Sequence, residues 1–149
     1  MTPEDAGITF AFFNEVGILE QLSRSVLEEH LPDGLIAPHF TVLNHLVRVG
    51  EGRTPLQMAR AFQVPKTSLT HTLSGLESRG LIEMRRNPDD GRSKLVYLTD
   101  AGRTLRQETI DALVPVFSGL LDPRATDRMR AALPTLTKIR QILDAARDP

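Results

Sequence analysis

The sequence predicts a mainly α-helical chain carrying one small β-hairpin, and three observations lead there. Apolar residues recur at spacings of three and four along much of the 149 residues, the period of amphipathic helices. Helix punctuation accompanies them, with Thr, Asp or Pro before the periodic stretches and Gly after several of them. One stretch departs from that period. Leu81-Ile82-Glu83-Met84-Arg85-Arg86 and Ser93-Lys94-Leu95-Val96-Tyr97-Leu98 flank an Asn87-Pro88-Asp89-Asp90-Gly91-Arg92 cluster, the pattern of a hairpin with a longer loop.

The chain opens on Pro3-Glu4-Asp5, and an apolar helix is expected from about Ile8 to Leu31. Phe12, Val16, Leu19, Leu22 and Val26 trace one stripe, while Phe10, Phe13 and Ile18 lie off it. Apolar residues on more than one side imply burial against more than this chain's own core. Leu31-Pro32-Asp33-Gly34 breaks the helix, and a second one is expected from Pro38 to Val49, stopped by Gly50. Val42, Leu43, Leu46 and Val47 would pack it beneath the pair that follows.

That pair starts with a clear signal. Thr54 stands at an N-cap, Pro55 at the first helical position and Gln57 three residues after the cap, so that Thr54 and Gln57 can satisfy each other's free backbone N–H groups. Leu56, Ala59 and Phe62 give this helix its expected apolar face. After Gln63-Val64-Pro65 the next helix is expected from Lys66 to Arg79, with Gly80 as its stop. Leu69, Leu73 and Leu76 share its inward face; Thr67, His71, Ser74 and Ser78 line the opposite one, flanked by Ser68 and Thr70. A merely solvated face usually mixes Lys and Glu, which favour helix. Short Thr, Ser and His side chains instead suit close hydrogen bonding to base edges and phosphates.

Arg85, Arg86, Arg92 and Lys94 crowd the tip of the hairpin, where Asp89 or Asp90 could fix an arginine by carboxylate–guanidinium pairing. A fixed arginine on a projecting loop suits a narrow minor groove, whose negative potential is enhanced. Thr99 then caps a helix expected to reach about Leu121, with Asp100 at its positive end and Pro115 bending it. Asp122-Pro123 opens a last helix, to about Ala146, through Met129, Leu133, Leu136, Ile139 and Leu143, with Pro134 inside it. These flanking stripes are most economically buried in a symmetric dimer.

The length fits one compact subunit, and the net charge of −1 hides a strong segregation. Residues 1–52 hold 2 Lys/Arg against 8 Asp/Glu, residues 53–106 hold 10 against 5, and residues 107–149 hold 6 against 6. Positive charge is therefore gathered on the central helices and hairpin, as contact with a polyanion requires. Absence of cysteine excludes disulfides, thiolate metal sites and thiol redox switching. The histidines, His30, His39, His45 and His71, form no i, i+4 pair, so no metal site and no cofactor is expected. No GxSxG, Walker loop or GxGxxG occurs, and adjacent Asp89 and Asp90 on an exposed turn lack the burial that would separate their pKa values; an enzyme is not expected. With no leader-like N-terminus and no long apolar run, the expected location is the cytoplasm, away from membranes.

The segment VPKTSLTHTLSGLESRGLIEMRRNPDDGRSKLVYLTDAGR resembles the winged helix–turn–helix of the MarR family of bacterial transcription regulators. Leu76-Glu77 followed by Arg79-Gly80-Leu81, the Asp90-Gly91-Arg92 wing tip, and Leu98-Thr99 followed by Gly102 carry the likeness in order and at spacing. The resemblance implies a winged helix–turn–helix lobe over residues 37–104 and a helical dimerisation lobe from residues 6–36 and 105–147. It implies that Lys66, Thr67, Ser68, Thr70, His71 and Ser74 face the major groove of double-stranded DNA. Arg86, Asp90, Gly91, Arg92 and Lys94 form the wing, with Arg92 in the minor groove and Asp90 orienting it, while Arg53 and Gln57 are weaker backbone contacts. Pro65, where many relatives have Ser or Thr, leaves the start of the recognition helix without a side-chain cap.

What the family further implies is a homodimeric regulator, usually a repressor, on a pseudo-palindromic operator. A small, often aromatic and anionic effector would sit in a crevice near Phe12, Val16 and His39, in the neighbourhood of Tyr97. The competing reading is a winged-helix protein-interaction module that kept the fold without specific DNA binding.

Overall fold

The computed structural model describes residues 1–147 and forms, in chain order, α1 (Pro3–Glu28), α2 (Ala37–Val49), α3 (Pro55–Phe62), α4 (Lys66–Ser78), β1 (Ile82–Arg86), β2 (Lys94–Leu98), α5 (Asp100–Leu120) and α6 (Pro123–Arg147). The chain is mainly helical with one hairpin. It gathers into two compact units, residues 1–113 and a second beginning at Val114, the boundary falling within α5.

α1 starts five residues earlier than the apolar pattern implied and stops at Glu28 rather than Leu31. Its polar first turn is held by a capping box: the Thr2 hydroxyl accepts the Asp5 N–H at 3.1 Å, and the Asp5 carboxylate accepts the Thr2 N–H at 2.9 Å. None of its 26 residues is buried, although it carries Phe10, Leu19 and Leu22. α2 begins at Ala37, one residue before the expected Pro38. Its first turn is satisfied from both sides: the Ala37 N–H donates to the Glu28 carboxylate of α1 at 2.8 Å, and the N-cap Ile36 N–H donates to Nδ1 of His39 within the helix at 3.1 Å. Val42, Leu43 and Leu46 are buried as expected, but Val47 is 39% exposed. At about 100° per residue, Val42, Leu46 and Leu43 share one arc, and Val47 lies just beyond Leu43 at its edge.

In α3 both bonds of the Thr54–Gln57 capping box form, at 2.9 and 3.2 Å, and Gln63 in a left-handed conformation (φ 54°) ends the helix. Its buried face differs from the expected one: Met58 and Ala59 go inward, Phe62 packs edge-on against the His45 ring, and Leu56 faces solvent. α4 ends at Ser78, with Arg79 as cap and Gly80 (φ 67°) reversing the chain. Leu69, Leu73 and Leu76 are buried together, as expected.

β1 and β2 pair antiparallel in a register running from Ile82↔Leu98 to Arg86↔Lys94, and Arg53 adds a bridge to Val96 on the other side of β2. α2, α3, α4 and the hairpin close on one core, in which Met58, Leu76 and Val96 are fully buried. The Thr99 hydroxyl accepts the Gly102 N–H at 3.0 Å to cap α5 and donates to the Gly80 carbonyl at 2.7 Å, fastening α5 to the turn after α4. In the second unit the Asp122 carboxylate accepts the Ala125 N–H at 2.6 Å and starts α6, which contains Pro134 and has no buried residue over positions 123–146. Among the described residues no helix is long and apolar enough to cross a membrane.

Candidate nucleic-acid interface

The outward face of α4 is open along its length. Lys66, Thr67, Ser68, Thr70, His71 and Ser74 are all exposed. The Thr70 hydroxyl donates to the Lys66 carbonyl at 2.8 Å and keeps its acceptor lone pairs. The side chains of Thr67, Ser68, His71 and Ser74 make no hydrogen bond among the described residues, so their donors and acceptors face water. Pro65 provides no side-chain cap, which leaves the first N–H groups of α4 unsatisfied by the chain.

Three contacts that sequence reasoning missed hold this helix in place. The carboxylate of Glu77, the one acid in α4, accepts the Met84 N–H at 3.3 Å and joins the helix to β1. Arg79 donates from Nη2 to the Asp33 carbonyl at 2.7 Å, and its guanidinium fills the space where a side chain on Gly34 (φ 81°) would stand. His39 lies against α4 with Nε2 3.0 Å from where a Cβ on Gly75 would be. Burial holds the His39 imidazole below its ordinary pKa, and the charge of Arg79 and the His71 ring act in the same direction. Two of these depend on packing between distant segments, which leaves no local sequence signal; Arg79 and Asp33 are 46 residues apart.

The wing is a preorganised loop. Asn87 is buried and closes it, donating from Nδ2 to the Ser93 hydroxyl at 2.8 Å and accepting the Asp89 N–H on its own Oδ1 at 3.0 Å. Ser93 N–H donates to the Asp90 carbonyl at 3.0 Å. Asp90 does contact Arg92, but through the backbone: its carboxylate accepts the Arg92 N–H at 3.0 Å, and among the described residues no carboxylate pairs with the Arg92 guanidinium. The expected carboxylate–guanidinium pair instead forms one strand back, where Arg85 binds Glu83 and stacks over the Tyr97 ring at 4.1 Å from its centroid. Arg85 is thereby neutralised. Arg86 and Lys94 stand directly opposite one another at the end of the hairpin, an arrangement that is destabilising by itself and relieved by an anion. Gly91 beside them packs against the Arg86 guanidinium, where a Cβ would come within 3.2 Å.

Arg53 reaches the Val49 carbonyl at 3.5 Å while its backbone carbonyl accepts the Val96 N–H at 2.9 Å, so it belongs to the hairpin sheet. The Gln57 side-chain oxygen is engaged in the α3 cap, leaving its amide N–H groups outward. The three residues expected near an effector sit in different settings: Phe12 packs edge-on against Phe13, Val16 is exposed on α1, and His39 lies between the start of α2 and α4. Among the described residues no group of three or more His, Asp or Glu side chains is placed to hold a metal ion.

Comparison with known proteins agrees with this geometry. Residues 33–93 match the model of the MarR family, the span from the α1–α2 connection through the wing. Among solved structures the chain is similar to the reduced form of MarR from E. coli, with 25% identity, a TM-score of 0.71, and 83% of this chain and 93% of that one covered. It is similar to an E. coli MarR variant complexed with operator DNA (23% identity, TM-score 0.65, covering 85% and 93%). It is similar also to the transcriptional regulator BldR from Sulfolobus solfataricus (20% identity, TM-score 0.70, covering 93% and 99%). The helix–turn–helix and wing loop of this chain are thus similar to those of the MarR family, in a chain that has the fold of solved MarR transcriptional regulators.

Proposed function

We propose that the protein is a homodimeric, sequence-specific DNA-binding repressor acting in the cytoplasm on a pseudo-palindromic operator and released by a small-molecule effector. In this reading residues 37–104 are the DNA-binding lobe, and residues 6–36 with 105–147 form the dimerisation lobe. The recognition helix α4 lies in the major groove through Lys66, Thr67, Ser68, Thr70, His71 and Ser74. The wing, with Arg86, Gly91, Arg92 and Lys94, follows the neighbouring backbone and minor groove, and Arg53 and Gln57 add weaker phosphate contacts. Asp90 acts indirectly, through the Arg92 backbone.

The observation that carries the reading is the wing end: Arg86 and Lys94 set side by side, and Arg92 held on a loop of fixed shape, without acidic partners among the described residues. Such a cluster is matched to phosphates. Dimerisation is supported by α1 and α6, helices with no buried residue among those whose burial is described, which expose Phe10, Leu19, Leu22, Leu133 and Leu143. The operator complex of the similar E. coli MarR supports the choice of DNA over a protein partner. An effector bound in a crevice near Phe12, Val16 and His39 would act by preferring one spacing of the two lobes.

Titrating the protein with non-specific duplex at several salt concentrations tests the DNA reading. A steep fall of affinity with salt is expected. Salt-independent binding, or none, would favour the protein-interaction module.

A further inference from the structure

Arginine supplies 15 of the chain's 18 Lys and Arg residues, and only Lys66, Lys94 and Lys138 carry a side-chain amine. The difference is chemical. A guanidinium keeps its proton and does not take an acyl group, whereas an amine that loses its proton is a nucleophile. Two of the three amines stand on the candidate nucleic-acid interface, Lys66 at the start of α4 and Lys94 at the end of the hairpin.

Lys94 differs from the other two in what faces it. The Thr99 N–H donates to the Leu81 carbonyl and the Asn87 N–H to the Ser93 carbonyl, each at 3.2 Å. Hydrogen-bonded pairs recur at every second position, so Arg86 and Lys94, one step from Asn87 and Ser93, form a non-hydrogen-bonded pair, the kind whose side chains stand closer. Their Cβ atoms are then about 4.5–5.5 Å apart. Both side chains are exposed, and among the described residues neither is ion-paired. Glu83, the one acid on β1, is taken by Arg85, and Asp90 turns its carboxylate to the Arg92 N–H. A phosphoryl dianion fits between the two cations and offsets their repulsion. Lys66 and Lys138 are exposed too, but no arginine lies three or four residues from either on its own helix.

We propose that Lys94 is an acylation site: Arg86 seats the phosphoryl group of an acyl phosphate, and transfer of the acyl group to Lys94 Nζ weakens the wing's hold on duplex DNA. The unprotonated Nζ attacks the acyl carbon, the bond from that carbon to the phosphate oxygen breaks, and one N–H proton leaves with the phosphate as hydrogen phosphate. The product is a neutral amide, which ends the repulsion with Arg86 and removes one phosphate-binding charge. The choice of Lys94 stands on the hairpin alone; the loss of DNA affinity rests on the DNA-binding reading.

The full chain is treated with acetyl phosphate, or with N-acetoxysuccinimide as an acyl donor without a phosphoryl group, and each lysine is followed by peptide mass spectrometry. Acetyl phosphate modifies Lys94 at least ~5-fold faster than Lys66 or Lys138, and N-acetoxysuccinimide shows no such preference. Arg86→Gln abolishes the preference without lowering the Tm, because it removes a like-charge pair. Equal rates at the three lysines, or a preference that survives Arg86→Gln or is the same with both donors, overturns the site. Duplex affinity is then measured by fluorescence anisotropy before and after acetyl phosphate. It falls about 10-fold in the unsubstituted protein. In Lys94→Arg, whose guanidinium takes no acyl group, the treatment leaves affinity where it was. No fall in the unsubstituted protein, or an equal fall in both, overturns the effect on DNA. A chain that binds no duplex before treatment contradicts the DNA reading and leaves the mass-spectrometric result standing.

Discussion

Gly102, in the first turn of α5, lies against the backbone carbonyl of Leu81 so closely that a Cβ there would collide with the oxygen and come within 2.8 Å of Leu98 Cδ1. The same carbonyl accepts the Thr99 N–H at 3.2 Å. Leu81 follows the turn that ends α4, so this contact seats the start of α5 directly on the core shared by α2, α3, α4 and the hairpin. Gly102→Ala is expected to lower stability by about 1–3 kcal/mol, because a backbone oxygen has to move. The ordinary gain from alanine inside a helix, up to about 1 kcal/mol, is smaller. Urea unfolding measures it; a more stable variant would mean that α5 is not seated there.

Leu73 lies at 1% exposure between Leu69 and Leu76 on the inward face of α4. Leu73→Ala should cost about 2–5 kcal/mol through the lost burial and the cavity left behind. The same urea experiment checks it, and an unaffected midpoint would mean that the polar stripe of α4 does not face outward.

Arg92 has the opposite profile. Its side chain is exposed and its backbone alone is tied to Asp90. Arg92→Ala should leave the Tm unchanged and weaken operator binding by about 1–3 kcal/mol. Unchanged affinity in an anisotropy titration would remove the wing from the DNA contact.

Both helix-borne histidines that pack inward resist protonation. Burial is the main cause for each, reinforced at His39 by Arg79 and His71 and at His45 by Arg53 and Arg48. The unfolded chain therefore takes up these protons first as pH falls, and stability is lost in that direction. His39 Nδ1 must also be unprotonated to accept the Ile36 N–H. The Tm should fall between about pH 7.5 and about pH 5.5, and less steeply in His39→Gln. A Tm that is flat or rises on acidification, or an identical slope in the variant, would contradict this.

Much of this architecture was legible because it is written in local signals. Thr54 with Gln57, Thr99 and Asp122 each announced a helix start that formed within a residue of expectation, and Leu69, Leu73 and Leu76 gave the buried face of α4. α1 was misplaced by five residues because its first turn is polar and held by Thr2 and Asp5, where apolar periodicity has nothing to read. The inward face of α3 was read through Leu56 instead of Met58; eight residues are too few for periodicity to fix the rotation of a helix against its neighbours. In the wing the composition identified the loop and its cations. Which arginine found a carboxylate depended on strand register, which placed Arg85 on Tyr97 beside Glu83 and left Arg86 facing Lys94.

The account stands on two copies of α4 presenting their polar stripes to one duplex. Selecting bound fragments from the genomic DNA of the source organism, then sequencing and footprinting them, tests this most directly. The account predicts an enriched inverted repeat whose half-sites are protected about 10–10.5 base pairs apart, centre to centre. Fragments without enrichment, or a single asymmetric half-site protected by one protein chain, would contradict it.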